Sequence, residues 1–182
     1  MAKSRFIAAT LLLATIGCSN QNATVAAPAA SSVDRGAYLV TILGCGGCHT
    51  EGALLGKPSG QWLAGSRTGV AYTADEHDQN PGVVFPKNLT PDIKTGLGKW
   101  TEREIMRAIS QGQGHREQPL NAVMPWMNYV LLSDADRRDI ARYLKSLAPV
   151  YNPIPPSIVP GQPVRESYLR IGIYVFYPNQ GT

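Results

Sequence analysis

Cys45-Gly46-Gly47-Cys48-His49 is the stretch from which the rest of the chain is read. Two cysteines three apart, with a histidine directly after, form the attachment pattern of a c-type haem. The chemistry accounts for the spacing. Each thiol adds to one haem vinyl group, and the adjacent histidine is carried to the iron as proximal ligand. Gly46 and Gly47 keep the turn free of bulk, so the backbone can lie close to the haem edge. Rival readings of the pair fit less well. A redox dithiol wants a βαβ context, and none is visible. A zinc site needs four ligands, and only His77 and His115 remain, at no recognisable spacing. A disulfide between residues three apart is geometrically tight and constrains little chain.

Composition narrows the field further. The 182 residues allow one domain with appendages. With 43% hydrophobic residues a packed core is possible, while 18 Gly and 14 Pro speak against long uninterrupted helices. No apolar run reaches the ~20 residues of a membrane span. Three cysteines are too few for a disulfide scaffold. The formal charge is +4, and Lys3 and Arg5 supply two of those units from a removable leader. What is left is too weak a balance to indicate nucleic acid.

That leader is residues 1–17. Lys3 and Arg5 precede an apolar stretch from Phe6 to Ile16, the layout of an export signal. Thr15-Ile16-Gly17-Cys18 has the form of a bacterial lipoprotein cleavage box, with Thr15 in place of the usual leucine, which makes Cys18 the residue to be acylated. The other reading is an ordinary secretory peptide cleaved after Ala27-Pro28-Ala29. Residues 18–32 have the Ala, Ser, Asn and Pro content of a tether. Export agrees with the haem motif, because c-type haem is attached outside the bacterial cytoplasm.

Three helices follow from local chemistry. Ser32 caps a helix over 33–43, with Asp34 in its first turn. Tyr38 with Ile42 and Leu39 with Leu43 give it one apolar face. Gly36 lacks a side chain, which permits a close helix crossing there. Thr101 and Glu104 form a capping-box pattern at the head of a second helix, running to about Ser110. Ser133 caps the last, where Ile140, Tyr143, Leu144 and Leu147 make a buried stripe that Pro149 ends.

Taken together, these residues resemble a class I monohaem cytochrome c, and most closely the cytochrome c domains that serve periplasmic and membrane-bound dehydrogenases. The resembling segments are Arg35–Leu39 through Cys45–Thr50, Asn88-Leu89-Thr90-Pro91-Asp92, Thr95–Thr101, and Met124-Pro125-Trp126 through Asp136 to Leu144. They lie within 33–148, the expected domain. The resemblance implies an all-α fold around one covalently bound haem, with long loops, in which the first and last helices pack across each other, with Gly36 opposite Tyr143 as the expected crossing point. It also implies Met124 as distal ligand, in the irregular loop where the family places its axial methionine. Pro125 would keep that loop extended. Met106, Met127, His77 and His115 are the other candidates, and bis-histidine ligation stays open because the stretch from His49 to Met124 is long. Pro86, Leu89, Trp100, Trp126 and Tyr129 are candidates to pack on the haem, or equally to be ordinary core.

Residues 149–182 lie outside the resemblance. Six prolines from Pro149 to Pro163 make an extended linker by composition, and Tyr168–Tyr177 has strand propensity. This tail either wraps the domain, adding a strand, or docks a partner redox protein. The expected function is single-electron transfer rather than catalysis, in the periplasm, on a lipid anchor, with a dehydrogenase as donor and a further redox protein as acceptor. The alternative is a haem enzyme or ligand sensor with a distal position that can be vacated. A dithiol oxidoreductase is a third, haem-free alternative.

Overall fold

In the computed structural model the described residues are 31–72 and 80–170. The leader, Cys18, nearly all of the tether, His77 and residues 171–182 lie outside them. Four helices carry the fold: α1 (Ser32–Ile42), α2 (Cys45–His49), α3 (Glu102–Gln111) and α4 (Asp134–Ser146). None of the described helices is long and apolar enough to cross a membrane.

The caps sit where side-chain oxygens can reach the unpaired first-turn amides. Thr101 and Glu104 form the complete reciprocal capping box at the head of α3. Ser133 accepts from the Asp136 amide at the head of α4. The α1 cap is Ser31 rather than Ser32, accepting from the Asp34 amide at 3.1 Å. Ser32 is released to bond Asp139 on α4 instead. The apolar face of α1 is also narrower than the sequence suggested. Leu39 and Val40 are buried, while Tyr38 and Ile42 are more than half exposed.

Helices α1 and α4 cross at Gly36. A methyl group there would lie 2.1 Å from the Asp139 carbonyl oxygen and 2.7 Å from Cβ of Tyr143, which is the crossing expected from the sequence. A Gly36→Ala substitution must push the helices apart. It should lower the melting temperature of the holoprotein by an amount equivalent to about 1–3 kcal/mol, the usual cost of overpacking. Thermal unfolding followed by circular dichroism checks this, and an unchanged midpoint would refute the close crossing.

The expectation of an all-α domain needs correction. A small sheet of order β2-β1-β3 is present, built from β1 (Gly69–Ala71), β2 (Val83–Val84) and β3 (Tyr168–Arg170). β1 pairs antiparallel with β2 and parallel with β3. Strands of two and three residues are too short to show a period-two pattern in sequence. The described part of the tail therefore wraps the domain. On its way to β3 it bridges Ile158 to Val83, and Gly161 donates to the Asn80 carbonyl.

Candidate haem site

The helices and the 85–90 segment enclose a cavity of about 300 Å³. Its walls are almost wholly apolar: Leu43 just after α1, Phe85, Pro86 and Leu89 from the long loop, Ile105 and Ile109 from α3, Ile140 and Leu144 from α4. Cys45, Cys48, His49 and Met124 all line it. So do Pro86, Leu89, Trp100 and Tyr129, whereas Trp126 does not.

α2 delivers three of these residues. It starts after Gly44, whose left-handed φ of 72° turns the chain sharply out of α1. Five residues of helix place Cys45 and Cys48 one turn apart, with His49 next. Gly46 has a role that the sequence does not show. A Cβ there would fall 2.1 Å from the Trp62 ring, so Gly46 is small in order to accept Trp62, and Gly47 meets open space. Trp62 in turn donates to the Tyr143 hydroxyl at 3.0 Å, tying α2 to α4.

The His49 ring is fixed by its Nδ1, 2.6 Å from the Lys87 carbonyl oxygen. A carbonyl only accepts, so Nδ1 carries the hydrogen and Nε2 keeps its lone pair. This is the arrangement that presets a histidine for metal ligation. Burial lowers the His49 pKa, outweighing the Lys87 hydrogen bond, and so favours the neutral, ligating form. The His49 carbonyl is held as well, accepting from the Gly65 amide at 2.8 Å.

The thiols lie in low-dielectric surroundings. Burial pushes Cys45 up to about 11 and also raises Cys48. A dithiol oxidoreductase works through a thiolate formed near neutral pH, and this site opposes one. Tyr129, whose hydroxyl donates to the Leu43 carbonyl at 3.3 Å, is pushed up to about 12 by burial and by the two cysteines.

Met124 stands in a loop pinned at both ends. The Asn121 side chain accepts from the Val123 amide at 2.9 Å, and the Met124 carbonyl accepts from Trp126 at 2.8 Å. Trp126 packs on Gly112, where a Cβ would come within 2.5 Å of its ring. The indole thus steadies the methionine loop from behind. Lys145 holds the Trp100 side of the cavity, its three ammonium hydrogens directed to the carbonyls of Leu97, Gly98 and Trp100 at 3.0–3.3 Å.

The other described ligand candidates stand apart. Met106 packs against the core without lining the cavity. Met127 is 54% exposed. His115 stacks on Trp100 with 5.5 Å between ring centroids and pairs with Glu104 at 2.9 Å. The partner of His49, the Lys87 carbonyl, was missed in the sequence. A backbone acceptor 38 residues away leaves no side-chain signal.

An apolar pocket lined by two free thiols, a pre-oriented imidazole and a thioether is one that can hold a covalently attached haem. The cytochrome c family model matches residues 33–148, and the chain belongs to that family. The family's group is covalently bound haem c. The residues present fit it: two free thiols and a pre-oriented imidazole line one large apolar cavity. The chain is 30% identical over 130 residues to the fructose dehydrogenase cytochrome subunit of Gluconobacter japonicus, covering 71% of this chain and 24% of that protein. It is 29% identical over 119 residues to the gluconate 2-dehydrogenase cytochrome c subunit of Pantoea cypripedii, covering 65% and 24%. To the cytochrome c subunit of the quinone alcohol dehydrogenase of Gluconobacter oxydans it is 28% identical over 120 residues, covering 65% and 22%. The matched region thus spans about a quarter of the length of these relatives.

Proposed function

We propose that this chain is an exported cytochrome that passes single electrons through one haem c, as subunit or acceptor of a periplasmic dehydrogenase. Cys45 and Cys48 hold the haem, His49 is the proximal ligand and Met124 the distal one. The observation that carries the reading is the convergence of these four side chains on one apolar cavity. When bound, the haem supplies a reversible one-electron couple. The chain's part is to exclude water, hold His49 neutral and oriented, and keep Met124 steady, so that little rearrangement accompanies the change of charge. The dehydrogenase relatives support a donor of that class. Export as a lipoprotein acylated at Cys18 rests on the leader pattern, and places the protein in the periplasm on a membrane.

Reductive titration of the holoprotein tests the carrier role. One electron per chain should convert the spectrum fully, and carbon monoxide should leave the reduced form unchanged. Ready carbon monoxide binding would instead favour an enzyme or sensor with a vacatable distal site.

A further inference from the structure

The family match ends at residue 148, yet the chain beyond it is tied to the loop that orients His49. Asn88 follows directly on Lys87, whose carbonyl accepts from His49. The Asn88 side chain is 1% exposed and donates to the Val150 carbonyl at 2.7 Å and to Thr95 Oγ1 at 3.0 Å. Its carbonyl oxygen accepts from the Thr90 amide and hydroxyl at 2.9 and 2.8 Å. The tail answers with the Val150 amide, which donates to Thr90 Oγ1 at 3.1 Å, and the Asn152 amide, which donates to Thr95 Oγ1 at 3.1 Å. Asn152 Nδ2 reaches the Ala64 carbonyl at 2.9 Å, beside Gly65, whose amide holds the His49 carbonyl. Lys87 Nζ lies 2.6 Å from the Pro155 carbonyl.

We propose that Val150–Pro155 is a positioning strap for His49, acting through Asn88 and Thr90 on the Lys87–Asn88 peptide. This rests on the reading of His49 as iron ligand. The physical link is the Nδ1–H···O bond. Partners of that kind raise the basicity of a ligating imidazole, and a more basic ligand favours the ferric state. The Lys87 carbonyl stays on the His49 hydrogen only while its peptide is held. The strap supplies partners to Asn88 and Thr90 that the 86–96 loop does not supply by itself. Loosening the strap lengthens that bond and shifts the couple toward the ferrous form.

The test uses the full-length holoprotein and two uncharged variants, Asn88→Ala and Thr90→Val. The second is near-isosteric and keeps the fold if the first does not. Redox potentiometry should show the ferrous state favoured by about threefold over wild type at fixed reference potential, about 28 mV upward at 59 mV per decade for a one-electron couple. The His49 Nδ1–H of the reduced protein, followed by NMR, should exchange with solvent about tenfold faster. A potential unchanged or lowered in both variants overturns the proposal, however much thermal stability they lose, because a merely structural role lowers stability alone. His49→Ala separates the underlying assignment. If it leaves the holoprotein spectrum intact, His49 is not the ligand. If it abolishes the low-spin spectrum while Asn88→Ala and Thr90→Val keep the wild-type potential, the strap alone is refuted.

Discussion

Met124→Ala should lower the reduction potential of the holoprotein by on the order of 0.1 V, within the ~0.8 V that axial ligands span in haem proteins. A thioether is a soft ligand that favours ferrous iron, and Met/His ligation raises the potential. Removing it leaves the distal position to water, a harder donor that favours ferric iron by comparison. Specificity comes from the two other described methionines. Met106 lies on α3 and is not part of the cavity wall, and Met127 is exposed, so Met106→Ala and Met127→Ala should leave the potential within a small fraction of that shift. Spectroelectrochemistry on the three variants decides. A large drop for Met127→Ala, or none for Met124→Ala, would reassign the distal ligand. The loop explains why one methionine is singled out. Asn121 turns the chain before it and Trp126, seated on Gly112, anchors it after.

The haem-free chain should lack a native core. Blocking attachment with Cys45→Ala and Cys48→Ala leaves a cavity of about 300 Å³. At about 24 cal/mol per Å³ such a void costs about 7 kcal/mol. That is comparable with the whole of the 5–15 kcal/mol by which ordinary domains are stable. The walls come from α2, α3, α4 and the segment from Phe85 to Leu89, so no single element can close the gap without moving the others. The double variant should keep part of its helical far-ultraviolet signal, lose near-ultraviolet dichroism and unfold without a sharp transition, as loosely packed states do. A cooperative melt near the holoprotein midpoint would show that the core closes without its cofactor.

Much of this arrangement is legible in the sequence because it is written in side chains. Thr101 with Glu104 and Ser133 with Asp136 announce two helix heads. Gly36 announces a crossing, and the Cys45–His49 motif and Met124-Pro125 contribute to the lining of one pocket. The Ser31–Asp34 spacing also held the true cap of α1, hidden by a second serine beside it. What stayed illegible is carried by backbone. The carbonyls of Lys87, Val150 and Pro155 accept the bonds that orient His49 and secure the strap, and any residue type presents a carbonyl. The proline content of the tail indicated an extended chain but gave no sign of what it lies against. Gly46 shows the same limit: glycine marks close approach, and only the fold shows that Trp62 approaches it.

The central claim is covalent attachment of one haem through Cys45 and Cys48. The most direct measurement is the mass of the mature protein after denaturation, followed by proteolysis and mass analysis of the peptide containing Cys45–His49. The account predicts one haem per chain, retained through denaturation and carried on that peptide, and none on any other. A protein matured in cells competent for haem attachment that gives the bare peptide mass, with Cys45 and Cys48 free, would contradict it.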